Sequence, residues 1–177
     1  MTVWKWGFGA AAVPVAAFAA VYAIGLALPR DHSARAEAVV PAQPAKVAAA
    51  IWQVEDQPSW RSNVQSIEVL ERRANGLRYI ERSGGDAITF EFVEERPGER
   101  FRSRIDDPSL PFGGSWTITL LPEGSGTRVT IEEQGTVSNH VYRFFSTIIF
   151  GHEATMKAYL ADLQRALASS PREKIRQ

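Results

Sequence analysis

The sequence contains no cysteine. Disulfides, thiolate nucleophiles and thiolate zinc sites are therefore excluded, while the compartment is left open. An excess of either charge is also lacking: Lys plus Arg and Asp plus Glu both number 20, for a formal net charge of zero. A chain without a general basic field is not built to bind nucleic acid through one. Histidine occurs only at His32, His140 and His152, and the first two lack the spacing of a ligand pair. His152-Glu153 opens like a zinc-protease helix, but Met156 stands where a second histidine is needed. G-x-S-x-G, P-loop and dinucleotide fingerprints are missing as well. No metal or cofactor is expected.

What is present begins with residues 8–28, a run of 21 without one charge. At helical rise it spans about 31 Å, the thickness of a bilayer's hydrocarbon core. Trp4 and Trp6 flank Lys5 ahead of it, as in an interfacial belt, and Pro14 is tolerated inside such a helix. The competing reading is a cleavable signal peptide ending at Ala34-Arg35-Ala36. The run is longer than a signal core, and cleavage after Ala36 would cut the first strand. An uncleaved single-pass anchor in a bacterial inner membrane is therefore expected, meeting the lipid bilayer through residues 8–28. Arg30, Arg35 and Lys46 outnumber Lys5 across that run, which leans the following domain toward the cytoplasm. The chain thus divides into an anchor (1–30), one folded domain (31–168) and a flexible polar tail (169–177).

Within the domain, residues 33–40 alternate and stop at Pro41, as a first strand does. Pro44 opens a helix to about residue 54, with Val47, Ala50, Ile51 and Val54 on one face. Six strand-like segments follow at 66–72, 77–83, 87–94, 100–106, 115–121 and 127–135. Asn75-Gly76, Gly84-Gly85-Asp86, Pro97-Gly98 and Gly124-Ser125-Gly126 supply hairpin turns between them. The longest connection is 107–114. Residues 139–168 then read as one long helix, with an apolar stripe through Val141, Phe144, Phe145, Ile148, Ile149, Met156, Tyr159, Leu160, Leu163 and Leu167. Arg143, Glu153, Lys157, Asp162 and Arg165 fall on its solvated side. Gly151 is a candidate break and, with the 108–114 loop, a candidate entrance. The fold class expected is α+β: a curved antiparallel sheet of about seven strands wrapped on the C-terminal helix, preceded by the transmembrane helix.

Strand alternation gives that sheet an inner face of Ile88, Phe90 and Phe92, of Phe101, Ser103 and Ile105, of Trp116, Ile118 and Leu120, and of Val129, Ile131 and Glu133. Tyr79 and Glu81 join it if their strand keeps the register. Such a wall suits a hydrophobic ligand, and the same residues equally suit a solid core. Polar residues on the inner register are more informative, since burying them costs free energy unless they are paired. His152 sits on the helix stripe four residues before Met156, and Glu133 closes the inner row of the last strand. Together they could serve as acid and base; a satisfied pair without catalytic duty is the plainer reading.

The order strand, helix, helical turn, six-stranded meander, long helix resembles the START-like, or SRPBCC, helix-grip domains across residues 32–168. The resemblance is carried by Pro44-Ala45-Lys46-Val47, Asp56-Gln57-Pro58-Ser59-Trp60, Pro111-Phe112-Gly113-Gly114-Ser115-Trp116 and Gly126-Thr127-Arg128-Val129-Thr130. The nearest subgroup is the polyketide cyclase/dehydrase-like bacterial proteins, membrane-anchored members included. The resemblance implies a cavity between sheet and helix for a hydrophobic or amphipathic small molecule, lipids among the candidates. Its expected lining is Trp60, Tyr79, Phe90, Phe101, Phe112, Trp116, Ile118, Ile131, Glu133, Phe145, Ile149, His152 and Met156. The sequence favours a membrane-tethered binder. Alternatives are a cyclase or dehydratase using His152 and Glu133, and an interaction module with a filled cavity.

Overall fold

A computed structural model describes residues 7–150 and 153–168, with side chains described over 15–148 and 153–168. Expectations placed on Trp4, Trp6, the side chain of Ile149, Gly151, His152 and the tail 169–177 lie outside the described residues.

Alternation builds strands β1 (Asp31–Val40), β2 (Ser66–Arg73), β3 (Gly76–Ser83), β4 (Asp86–Arg96), β5 (Arg100–Ile105), β6 (Phe112–Glu123) and β7 (Gly126–Val137). They form one antiparallel sheet in the order β1-β7-β6-β5-β4-β3-β2. Hairpins join β2 through β7 in sequence, and Gly84, Gly98 and Gly124 take the positive φ that their turns require. β1 instead pairs with β7, His32 opposite Gly135 and Ala34 opposite Glu133. Helix α2 (Pro44–Trp52) and a 3₁₀ turn (Val54–Ser59) carry the chain from β1 to the far edge strand β2. Pro44 suits the first turn of α2, and Val47, Ala48 and Ile51 turn inward. The C-terminal helix α4 (Ala154–Ala168) buries Met156, Tyr159, Leu160 and Leu163 in the same core as Phe101, Ile118 and Ile131. Each such aliphatic side chain contributes about 1.5–3 kcal/mol when fully buried. The α+β helix-grip architecture expected from the sequence is present.

Three local expectations are corrected. Residues 139–168 are not one helix. A short α3 (His140–Phe144) is capped by Asn139, whose Oδ1 accepts from the N–H of Val141 at 3.0 Å and of Tyr142 at 3.1 Å. It passes into a π-helical turn (Phe145–Phe150), and α4 starts only at Ala154. The wider turn rotates the apolar stripe out of register, so Phe145 is 40% and Ile148 55% exposed. Second, Arg143 and Asp162 do not lie in solvent; both are buried. Third, the 107–114 connection is shorter than read, because Phe112, Gly113 and Gly114 already belong to β6. Gly114 has φ 153°, and a Cβ there would stand 2.5 Å from the Gln134 carbonyl oxygen, so only glycine lets β6 approach β7.

The buried ends have identifiable partners. The Asp162 carboxylate accepts from Ser62 N–H at 2.7 Å and Ser62 Oγ at 2.8 Å, and from Arg165 Nη2 at 2.7 Å. Burial alone would raise its pKa; the Ser62 and Arg165 hydrogen bonds and the charge of Arg165 outweigh that and hold it below the usual carboxylate value. This ties α4 to the segment after the 3₁₀ turn. On the outer face of the sheet, Arg100 and Arg102 share Glu95, and Arg104 bonds Glu91 and Asp106. Such exposed pairs each contribute about 0–1 kcal/mol.

The membrane anchor is also corrected. The uncharged run does form a helix, α1 (Gly7–Ala27). Yet among the described residues no helix is long and apolar enough to cross a membrane. The bilayer contact through residues 8–28, the single-pass inner-membrane location and the cytoplasmic lean fall with it. Helix α1 packs against α3. Its C-terminal end is held on the domain: the Tyr22 and His140 rings meet at 4.9 Å, and Gly25 lies where a Cβ would overlap the His140 carbonyl. Arg143 Nη1 donates to the carbonyls of Gly25 and Leu28, each at 3.1 Å.

Candidate functional site

Between the inner sheet face and the C-terminal helical segments lies a cavity of about 540 Å³, partly open to solvent. Register explains its wall. Tyr79 pairs with Phe90, Phe90 with Ile105, and Phe92 with Ser103, which in turn pairs with Trp116. Because these partners share one face, their side chains form adjoining rows. The Tyr79 and Phe90 rings stack at 5.5 Å, while Trp116 meets Tyr159 of α4 edge-on at 6.0 Å. The result is an aromatic and aliphatic wall wide enough for a drug-sized apolar body.

Two polar clusters interrupt this wall. In the first, Arg61 makes a bidentate pair with Glu81 of β3, Nη1 to Oε2 at 2.6 Å and Nη2 to Oε1 at 3.1 Å. Arg61 Nη1 also donates to Gln57 Oε1 at 2.9 Å, and Gln57 Nε2 donates to the Ile51 carbonyl at 3.1 Å. The guanidinium lies 5.3 Å from the centre of the Tyr159 ring, and its buried Nε has no acceptor among the described residues. Burial pushes the Tyr79 and Tyr159 hydroxyls well above the ordinary phenol value, with the Glu81 charge adding to the rise. Both stay neutral at physiological pH, so they can donate or accept hydrogen bonds but not serve as phenolate bases.

The second cluster is built by β1, β6 and β7. Trp116 stands directly opposite Glu133, and its indole N–H donates to Glu133 Oε2 at 2.7 Å. His32, opposite Gly135, is the diagonal neighbour of Glu133, and its Nε2 lies 3.0 Å from Glu133 Oε1. Gly135 makes this possible: a Cβ at that position would overlap the His32 ring.

The structure distributes the thirteen residues predicted for the site as follows. Tyr79, Phe90, Phe112, Trp116, Ile118 and Glu133 line the cavity. Phe101, Ile131 and Met156 are wholly buried in the core behind it. Trp60 packs edge-on to Tyr159 at 5.4 Å without lining the cavity, and Phe145 faces outward against Phe144. Ile149 and His152 lie outside the described side chains. The sequence reading passed over Arg61, Gln57 and His32. The even-numbered inner register of β1 carried a signal for His32; Gln57 sits in the short 3₁₀ turn and Arg61 just after it, where there is no sustained period to reveal them.

A seven-stranded antiparallel sheet gripping a C-terminal helix, with a cavity between, defines the START-like, or SRPBCC, class of fold. The sequence model of the family described as "Polyketide cyclase / dehydrase and lipid transport" matches residues 31–168, and the chain belongs to that family. No curated protein matches it in sequence. Among solved structures, the Zhui aromatase/cyclase from Streptomyces sp. R1128 superposes with a TM-score of 0.67 at 10% identity, over 81% of this chain and 97% of that one. A START superfamily protein from Mycobacterium smegmatis gives 0.59 at 15% identity, over 77% and 97%. The di-domain aromatase/cyclase StfQ from the steffimycin biosynthetic pathway gives 0.62 at 14% identity, covering 78% of this chain; this chain spans 51% of StfQ. These likenesses show a shared fold.

Proposed function

We propose that the unit spanning residues 31–168 binds an amphipathic small molecule, its apolar body against β4 to β6 and its polar end at one of the two clusters. The observation that carries this reading is the cavity itself, about 540 Å³ of space walled by aromatic side chains and broken by paired polar groups. Open volume of that size supports a bound ligand over a filled interaction module. Family membership supports a hydrophobic or amphipathic ligand, and the interior polar groups make a purely apolar one a poorer match.

Ile88, half-buried on the wall, gives the test. An Ile88→Trp change should fill the cavity and weaken binding of a neutral apolar fluorescent probe at least about tenfold, or about 1.4 kcal/mol. Stability should change by no more than about 1–3 kcal/mol, the usual cost of overpacking. Unaltered probe binding would place the ligand elsewhere.

A second reading, acid–base catalysis of the cyclase or dehydratase kind, is favoured by the Glu133 carboxylate held in the cavity wall between Trp116 and His32. Among the described residues the histidine beside Glu133 is His32; His152, to which the sequence pointed, lies outside them. Water loss from a β-hydroxyketone, catalysed by the native protein and reduced about 10²-fold or more in Glu133→Gln, would support it. No turnover above background would leave binding as the function.

A further inference from the structure

The charged groups facing the cavity are unevenly compensated. Among the described residues they are His32, Arg61, Glu81, Asp86 and Glu133. Arg61 is committed to Glu81 through two hydrogen bonds, so that end presents little net charge to a ligand. Glu133 faces no arginine or lysine: among the described residues lining the cavity, Arg61 is the one such cation. The formal balance is therefore negative whether or not His32 carries a proton. With the Glu133 side chain only 19% exposed, its field is less screened than a surface carboxylate's.

An ionised carboxylate has about four acceptor sites, and Trp116 and His32 together address two of them. A ligand that brings a donor to Glu133 adds a charge-assisted hydrogen bond, whereas one that brings a carboxylate adds like-charge repulsion. We infer that the Glu133–Trp116–His32 end of the cavity takes the hydrogen-bond-donating head of an amphipathic ligand, an ammonium best and a hydroxyl next, and discriminates against free carboxylates. This rests on the binding role proposed above and assigns that ligand its polar chemistry.

Three probes of one chain length separate the two claims: dodecylamine, dodecanol and dodecanoate. Each would be titrated into the full chain at neutral pH, below its micellar concentration, by displacement of a neutral fluorescent probe. Dodecylamine is expected to bind at least about 30-fold more tightly than dodecanoate, equivalent to about 2 kcal/mol, with dodecanol between them. Glu133→Gln should shrink the amine-to-acid ratio to about threefold or less. Glu132→Gln, an outward neighbour on the same strand that pairs with Arg35, should keep the native ratio. Equal binding of amine and acid by the native protein, or tighter binding of the acid, overturns the head-group assignment while binding stands. So does an undiminished ratio in folded Glu133→Gln. Failure of all three probes overturns both readings.

Discussion

Replacing Glu81 with alanine is expected to remove about 3–5 kcal/mol of stability. The side chains of Arg61 and Glu81 are 9% and 10% exposed, so deleting the carboxylate strands a guanidinium that water cannot readily reach. The other contacts of Arg61 do not replace it. Gln57 offers one neutral acceptor and the Tyr159 ring a cation–π contact, while Nε already lacks a partner. The loss should also spread, because this pair joins the segment after the 3₁₀ turn to β3 and, through Tyr159, to α4. Urea unfolding of Glu81→Ala, Arg61→Met and the Arg61→Met/Glu81→Leu double variant tests this. The double variant should recover to within about 1–2 kcal/mol of the native protein, since removing both charges leaves neither uncompensated. A loss below about 1 kcal/mol in either single variant would mean the pair is solvated.

Arg143→Met is the other large effect, expected at about 3–5 kcal/mol together with release of α1. All five guanidinium donors are used. Nε and Nη2 reach the Val137 carbonyl at 3.0 and 2.8 Å, Nη2 reaches Ser138 at 3.1 Å, and Nη1 takes the Gly25 and Leu28 carbonyls at 3.1 Å each. Two of those carbonyls belong to the end of α1, where a cation also meets the negative end of the helix dipole. Methionine fills the space but leaves the carbonyls without donors. Lysine brings three donors on one point and no planar fork, so Arg143→Lys should recover little. Hydrogen exchange of the α1 amides, read beside global unfolding, checks both parts. Native-like protection of α1 in Arg143→Met would show that the helix is held by other contacts.

These two arginines also mark where local pattern stops being informative. The sheet was legible because period-two alternation and Asn-Gly, Pro-Gly and Gly-Ser-Gly turns are written within a few residues of each other. The aromatic wall followed from the same alternation, since Phe90, Trp116 and Glu133 hold their faces through unbroken strands. Arg143 looked solvated because helical periodicity counts neighbours three and four residues away, whereas its partners Gly25 and Leu28 are 118 and 115 residues distant. Asp162 was misread for the same reason, its partner Ser62 lying 100 residues away. The Phe145–Phe150 turn has the composition of an ordinary helix, and nothing in it separates i→i+4 from i→i+5 bonding. Residues 8–28 were read from length and absence of charge, neither of which reports that Arg143 and His140 hold their C-terminal end on the domain.

The central claim, that an amphipathic molecule sits between the sheet and the C-terminal helix, is met most directly by NMR on the isotope-labelled chain with tetradecanol. A neutral head keeps the result independent of the charge preference at Glu133. Intermolecular NOEs are expected from the alkyl chain to the methyl groups of Ile88, Ile105 and Ile118 and to the Phe90 and Trp116 rings. Saturable binding whose NOEs reach only residues outside the cavity, such as Leu70 or Leu121, would contradict it.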